Sequence, residues 1–339
     1  MGDSFELGEV TCPSGHLVVL DGGCLWMWSG DRSPSEMEVY DRLPSPAKGS
    51  VDFDVAGPDA QAAGRSFPRR PGPYHYDIPP GFIDEWVEFF AAHCRANSFD
   101  ATLEQRPNLV PHRERALRCA REGLEGFIFF GMFAVAVGGV PADRPLAVTA
   151  ELSDGEWEGW KQMTLTASQA PVASTRALGP IGVDAARLTF ADLDALSHWR
   201  HDDPIDGLAD VVFWGGPNAF EAAEHFGVPH VDTAGDEGSW GWTDLPVEVA
   251  LRRGLAIQAW KDEVPGRKLG LDFRPHSHHW QVMRQVRATE SESGVVHVGG
   301  ADILFAMTSW GDGFFPAYAD YDADANLVAV RVALTDEET

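Results

Sequence analysis

After residue 269 the chain consists of short runs in which apolar and polar residues alternate, separated by turn residues. Successive side chains of a β-strand point to opposite faces, so this alternation indicates strands with one buried face. Connections this short join antiparallel neighbours, and the sequence therefore predicts an antiparallel C-terminal meander. Its expected strands are residues 269–274, 280–289, 295–308, 314–320 and 327–334, with turns at 290–294, 311–313 and 322–326.

Apolar residues at helical spacing predict a helix over 81–97, and Asp244 as a cap with Pro246 in the first turn predicts a second helix over 244–262. Such spacing places the apolar side chains on one face of a helix, which then packs on a sheet. The fold class is predicted to be α+β, with mainly antiparallel sheets, a C-terminal β-meander and a few packed amphipathic helices. The apolar face of the first helix is formed by Ile83, Trp86, Val87, Phe90 and Cys94.

The 339 residues, 44% of them apolar, are enough for one large domain or two ordinary ones. We expect an N-terminal α+β region over 1–170 and a C-terminal α+β region over 171–339 that ends in the meander. One continuous domain is the alternative. Residues 41–80 are rich in Pro, Gly, Ser and Ala and lack periodicity, so they are predicted to form a long surface loop.

The chain carries 52 acidic residues against 26 Lys and Arg, a formal net charge of −26. This charge repels nucleic-acid phosphates and anionic lipid headgroups, so neither nucleic acid nor a membrane is an expected partner. The start of the sequence lacks the pattern of a secretory signal peptide. The scattered cysteines indicate reduced thiols rather than a disulfide framework, and a cytoplasmic location is expected. These cysteines are Cys12, Cys24, Cys94 and Cys119.

One short cluster has the residue types of a metal site. His276 and His278 would project to the same side of a strand, and Asp272 has the same parity. Together they would supply three ligands for a metal-dependent hydrolase. The other interpretation is that they are polar residues at the start of a strand and bind no ion. Because a short His-x-His pattern is a weak signal, we predict no metal and no cofactor.

The loop at residues 310–313 has a different composition. Two glycines flank Asp312 and free the backbone for an unusual turn. Asp312 is predicted to accept hydrogen bonds from nearby amides, so its truncation to alanine should destabilise the protein by about 1–2 kcal/mol. Recognition of a ligand or partner is the alternative role. The candidate binding residues are Trp310, Gly311, Asp312, Gly313, Tyr318 and Asp184.

Residues 307–318 read Met-Thr-Ser-Trp-Gly-Asp-Gly-Phe-Phe-Pro-Ala-Tyr and precede the expected final strand over 327–334. This segment resembles the end of a bacterial family, the domain of unknown function numbered 4241. Residues 13–21 are similar to the opening strand and turn of that family, and residues 182–192 to its central glycine-valine-aspartate element. The chain departs from the family by being longer, chiefly at 41–80 and 209–263.

The resemblance implies no established activity, because none is assigned to the family. Its members look like accessory bacterial proteins such as toxin-immunity or other interaction modules. An acidic, aromatic-rich protein is also suited to covering a basic partner, although acidity that only secures solubility is an equal alternative. The prediction is a non-enzymatic binding protein, of immunity type, that covers a basic protein. The alternative is a metal-dependent hydrolase-like enzyme that uses Asp272, His276 and His278, with Asp312 as a base.

Overall fold

The computed structural model describes residues 4–36, 50–68, 74–153, 159–231 and 238–335. Its strands are β1 (Ser4–Val10), β2 (His16–Asp21), β3 (Val51–Ala56), β4 (Tyr74–Ile78), β5 (Thr102–Pro107), β6 (Phe127–Phe129), β7 (Met132–Gly138), β8 (Leu146–Leu152), β9 (Trp160–Thr166), β10 (Ser174–Val183), β11 (Arg187–Asp192), β12 (Leu208–Trp214), β13 (His230–Val231), β14 (Ser239–Pro246), β15 (Gly270–Pro275), β16 (Ser293–Val298), β17 (Ala301–Met307), β18 (Gly313–Tyr321) and β19 (Leu327–Ala333). Its α-helices are α1 (Ala60–Ser66), α2 (Ile83–Asn97), α3 (His112–Glu122), α4 (Gly216–Phe226), α5 (Val247–Asp262) and α6 (His278–Ala288).

Two six-stranded sheets form a sandwich. The front sheet has the order β1-β8-β9-β19-β18-β10, and the middle sheet has the order β16-β17-β11-β2-β7-β6. Alternate side chains of both sheets fill the space between them, as expected for face-to-face packing of antiparallel sheets. Strands from before and after residue 170 are neighbours within both sheets. Buried residues of this core include Val148, Leu17, Val19, Leu188 and Phe190.

Helices cover the other face of the middle sheet and form a third layer. Ala116 and Cys119 of α3 and Val282 and Val286 of α6 pack on this face together with Phe305 of β17. The middle sheet is therefore buried on both faces, which explains why its strands carry consecutive apolar residues instead of a strict alternation. Among the described residues, no helix is long and apolar enough to cross a membrane.

A small side unit contains the sheet β4-β3-β5 with α1 and α2. It corrects the prediction of a long surface loop over 41–80. Residues 51–56, 60–66 and 74–78 form β3, α1 and β4, whereas residues 41–49 and 69–73 lie outside the described part of the chain. Phe53 in the middle of β3 is buried, and the side unit has a small apolar core that contains Phe67, Phe90 and Cys94.

Residues 208–275 form an inserted unit with the element order β12-α4-β13-β14-α5-β15. Its four-stranded sheet has the order β13-β14-β12-β15, which is the arrangement of a split β-α-β, ferredoxin-like unit. Ala219, Ala250 and Ile257 on the two helices pack on Val211 and Phe213 of β12. The opposite face of the sheet carries Asp210 and Val212 in the alternate positions of β12, and this face lines the site described below.

The predicted α+β fold class is confirmed. Strand pairings within the described residues are antiparallel, and the C-terminal region is a succession of strands. One predicted strand is wrong, because residues 280–289 lie almost entirely in α6. The side chain of Ser277 accepts a hydrogen bond from the amide of Trp280 and begins this helix. Val282 and Val286, one turn apart, then face the middle sheet.

Candidate functional site

His276 lies in the short connection between β15 and α6, where it is buried with only 3% of its surface exposed. Its Nε2 is 2.9 Å from Oδ1 of Asp210, and its Nδ1 is 3.1 Å from Oδ2 of Asp206. The ring also stacks on Trp280, with ring centroids 4.1 Å apart. His276 is therefore held between two carboxylates of the inserted unit and an aromatic ring of α6.

The charges around His276 favour its protonated form. Burial by itself lowers the pKa of His276, but the hydrogen bonds to Asp210 and Asp206 outweigh burial and raise the pKa above its usual value. Burial by itself raises the pKa of Asp206, but the hydrogen bonds from the amide of Leu208 and from His276 outweigh burial and lower the pKa of this carboxyl. Each ring nitrogen lies within hydrogen-bond distance of a carboxylate oxygen, so the protonated ring can donate to both carboxylates and in that form has no lone pair for a metal.

The predicted set of Asp272, His276 and His278 is not arranged as the sequence suggested. The parity argument assumed one strand through residue 278, but β15 ends at Pro275 and α6 begins at His278. Nδ1 of His278 accepts a hydrogen bond from the amide of Arg200, 2.9 Å away. Asp272 forms an ion pair with Arg274 at 2.7 Å. Each of the three residues therefore has a different partner.

The structure brings together a different group. Among the described residues, Asp210, Asp244 and His276 place one potential ligand atom each within 4.8 Å of one another. Oδ1 of Asp210 also accepts a hydrogen bond from the amide of Asp244, which fixes the two aspartates on neighbouring strands. Three such residues have the chemistry of a metal site, but here the imidazole donates to a carboxylate.

An open cleft of about 390 Å³ lies beside this group, a volume within the range of small-molecule pockets. The open face of the inserted unit's sheet forms one side, and α6 forms the other. The sheet side includes Asp210, Asp244, Asp272, Arg274 and Val212, and the α6 side includes His279, Trp280, Met283, Arg284 and Arg287.

His279 in this cleft is a neutral imidazole. Burial, and after it the positive charges of His201, Arg187 and Arg287, lower the pKa of His279 to about 3. The ring stacks on His201, with centroids 4.1 Å apart. Nδ1 of His279 is buried and has no hydrogen-bond partner within the described part of the chain. A buried, unsatisfied ring nitrogen marks a position where a ligand can supply a hydrogen bond.

The predicted loop at residues 310–313 lies between β17 and β18, away from this cleft. Val183 pairs with Gly313, so Asp184 lies next to the loop. The indole nitrogen of Trp310 donates a hydrogen bond to the carbonyl of Trp160 at 2.7 Å. Tyr318 is in the middle of β18, with the Arg331 guanidinium 5.5 Å from its ring centroid. The structure therefore groups Asp184 with the loop and places Tyr318 further along the strand.

Asp312 connects this loop to the neighbouring turn. Its Oδ1 accepts a hydrogen bond from the amide of Ala186 at 3.0 Å, and Ala186 has a left-handed backbone with φ of 52°. Asp312→Ala should lower the free energy of unfolding by about 1 kcal/mol, because the amide loses its partner at an exposed site. Asp312→Asn keeps an acceptor oxygen and should be milder. Urea denaturation of the three proteins checks this, and equal stabilities would contradict it.

The four cysteines are buried and contain no activated thiol. Burial raises the pKa of Cys12 and Cys24 well above the usual range, and it also raises the pKa of Cys94 and Cys119. A thiol becomes a nucleophile only when its pKa is lowered by nearby positive charge. The cysteines are therefore packing residues of the core.

An exposed surface on the side unit combines apolar and acidic residues. Phe82, just before α2, is 54% exposed, and Val87 on α2 is 41% exposed. Asp84 and Glu88 lie on the same exposed helix. We call these four residues the α2 surface. Exposed apolar side chains surrounded by charges are typical of protein-binding surfaces.

Comparisons with protein-family models, with curated proteins and with solved structures find no match to this chain. The resemblance to the domain of unknown function numbered 4241 therefore depends on the quoted sequence segments alone.

Proposed function

We propose that the protein is a non-enzymatic binding protein of immunity type, whose acidic surface covers a basic protein. The observation that carries this proposal is the net charge of −26, together with the α2 surface on which acidic and apolar side chains are exposed side by side. Opposite potentials accelerate the encounter of two proteins, and exposed apolar side chains then supply the buried contact area.

The chemistry of the cleft supports binding over the alternative of a metal-dependent hydrolase. A hydrolytic metal site needs three ligands with free lone pairs and an open position for water. Both ring nitrogens of His276 are already within hydrogen-bond distance of the carboxylates of Asp206 and Asp210, and Asp272 is paired with Arg274. Asp312, the base suggested for that mechanism, lies on a different loop and bonds to Ala186.

Purified protein should accordingly carry no stoichiometric Zn²⁺ or Ca²⁺ after dialysis without a chelator. Inductively coupled plasma mass spectrometry measures the metal content per chain. His276→Ala, compared with Gln258→Ala on the exposed part of α5, shows whether any bound ion depends on the cluster. One tightly held ion per chain that disappears only in His276→Ala would favour the hydrolase alternative.

The α2 surface can be tested by charge reversal. Tagged wild-type protein and the variant Asp84→Lys/Glu88→Lys are used to capture partners from extracts of the source cell, followed by mass spectrometry. We expect wild type to retain a protein of high isoelectric point and the variant to lose it. Leu251→Ser/Leu255→Ser is the matched control, because these two leucines are exposed on α5, far along the chain from α2.

The salt dependence of the association rate distinguishes electrostatically steered recognition from non-specific hydrophobic binding. With purified components, the association rate should fall at least about tenfold between low and high ionic strength, because steering between opposite charges is screened. A captured partner that is acidic, or one that binds equally to the charge-reversed variant, would contradict the proposal.

A further inference from the structure

The two sides of the cleft carry opposite charges that do not neutralise each other. On the α6 side, Arg284 and Arg287 have no ion pair with a described carboxylate, and the guanidinium of Arg284 lies 5.2 Å from the ring centroid of Trp280. Arg187 lies close enough to Arg287 for the two charges to repel each other. This side of the cleft therefore has an excess of positive charge, because Asp202 near His279 offsets only part of the charge of Arg187, Arg284 and Arg287.

The sheet side has an excess of negative charge. Three carboxylates, those of Asp206, Asp210 and Asp244, lie close to His276, whereas Asp272 is paired with Arg274. Asp206 and Asp210 are hydrogen-bonded to His276, whereas Asp244 donates a hydrogen bond to Asp210 through its backbone amide and not through its carboxylate. The carboxylate of Asp244 is exposed and makes no hydrogen bond or ion pair with the described residues. It is therefore available to a cation.

The cleft also has an apolar part. Trp280 and Met283 are one turn apart on α6 and line the cleft together with Phe273 of β15. His279 also lines the cleft, and its Nδ1 is buried without a hydrogen-bond partner among the described residues. A pair of arginines, a carboxylate and an apolar surface in one cleft match a small molecule that has two opposite charges and an apolar group.

We propose that this cleft binds a small zwitterion of the α-amino acid class. Arg284 and Arg287 receive the carboxylate, since guanidinium groups bind carboxylates through paired hydrogen bonds. Asp244 receives the ammonium group. An apolar side chain of the ligand packs on Trp280 and Met283. This site is independent of the α2 surface, so the amino acid is a second ligand and not the proposed protein partner.

A simple anion or a metal ion fits the cleft less well. A phosphate or acetate would bind the arginines but leave Asp244 without a partner. A divalent cation would compete for the carboxylate oxygens that contact His276 and would leave the two arginines without a partner. Only a ligand with both charges can form charge-assisted hydrogen bonds with the arginines and with Asp244 at the same time.

The experiment begins with a thermal-shift screen of the proteinogenic L-amino acids against the full chain. We expect apolar amino acids such as L-phenylalanine to raise the melting temperature at millimolar concentration. Calorimetric titration then compares L-phenylalanine with N-acetyl-L-phenylalanine, which lacks the ammonium charge, and with L-phenylalaninamide, which lacks the carboxylate. Each derivative should bind about tenfold more weakly or worse, because one charge-assisted contact is lost.

Two variants assign the charges to their partners. Asp244→Asn should weaken the binding of L-phenylalanine but leave the affinity for N-acetyl-L-phenylalanine unchanged. Arg287→Gln should weaken the binding of L-phenylalanine but leave the affinity for L-phenylalaninamide unchanged. Asparagine tolerates the left-handed backbone of Asp244, where φ is 54°. Arg252→Gln, an exposed arginine on α5, is the control and should bind like wild type. Melting temperatures without ligand show that each variant is folded.

Several results would overturn the proposal. One is that no amino acid raises the melting temperature, and another is that L-phenylalanine and its two derivatives bind equally. Binding that is unaffected by both Asp244→Asn and Arg287→Gln would place the ligand elsewhere. Tighter binding of inorganic phosphate or of Zn²⁺ than of any amino acid would assign the cleft to a simple ion. None of these results depends on the protein partner.

Discussion

Asp77→Ala is expected to lower the free energy of unfolding by about 3–5 kcal/mol, the effect of removing one member of a buried charged network. Asp77 is fully buried at the end of β4. Its carboxylate lies 2.6 Å from both Nε2 of His112 and Nδ2 of Asn108, and it also accepts hydrogen bonds from Ser50 and from the amide of Phe130. Truncation leaves these donors buried and unpaired.

Chemical denaturation at neutral pH measures this effect. Glu104→Ala is the matched control, because Glu104 is an exposed acid on the neighbouring β5 and should change stability by less than about 0.5 kcal/mol. Asp77→Asn keeps one acceptor oxygen and should fall between the two. A loss below about 1 kcal/mol for Asp77→Ala would show that the network contributes little to the folded state.

The same carboxylate should also influence acid stability. Burial alone would raise the pKa of Asp77, but the His112 ring, Arg115 and Ser50 outweigh burial and hold the pKa below its usual range. A carboxyl whose pKa is lowered by folding stabilises the fold at pH values above about 3.9, the pKa of the group in the unfolded chain. This contribution disappears as the pH falls towards the pKa of the group in the folded protein. The stability difference between wild type and Asp77→Ala should therefore shrink below about pH 4.

His276→Ala is expected to destabilise the protein by about 3 kcal/mol, because it leaves the buried carboxylate of Asp210 without its charged partner. It also removes the ring that stacks on Trp280 and so loosens the contact between the inserted unit and α6. His225→Ala is the control, since this histidine lies in the last turn of α4, away from the carboxylates of the cleft. Urea denaturation of both variants gives the comparison.

The contribution of His276 should depend on pH in the opposite direction from that of Asp77. The pKa of His276 is raised in the folded protein. The stabilising effect of this histidine is therefore complete at pH values below about 6.5, the pKa of histidine in the unfolded chain. The effect disappears as the pH rises through the folded pKa. The stability difference between wild type and His276→Gln should therefore be larger at pH 6 than at pH 9. An equal difference at both pH values would show that His276 is neutral throughout.

Much of the fold follows from local sequence patterns, and the errors have identifiable local causes. The hydrophobic periods of β18, β19 and α2 are visible in the sequence, and the structure has these elements, whereas the single strand expected over 295–308 is divided into the antiparallel pair β16 and β17. The helix α6 was missed because its valines favour a strand interpretation, although Ser277 as N-cap and the spacing of Val282 and Val286 indicate a helix. Apolar and polar residues alternate over 51–56, as they do in a strand, but the surrounding Pro and Gly residues favour the prediction of a loop.

The candidate site could not be predicted because its residues meet only through strand pairing. Asp210 and Asp244 come together when β12 pairs with β14, and residue 275 comes beside residue 209 when β12 pairs with β15. No local pattern encodes these registers. The sequence did identify His276, but its partners Asp206 and Asp210 are 70 and 66 residues away. Arg284 and Arg287 are not predicted for another reason, because the sequence pattern indicates a strand where the structure has the helix α6.

The inserted unit begins and ends at one place. Ala209 and Pro275 are paired across neighbouring strands, and the amide of His276 donates a hydrogen bond to the carbonyl of Leu208. The flanking residues Arg200 and His278 are joined as well, because the amide of His278 donates to the carbonyl of Arg200. A gene could therefore gain or lose this whole segment in one step, closing the gap with a short connection and leaving every strand of the sandwich in its order. Such a unit is also a natural point for transplanting a binding module into an unrelated sandwich.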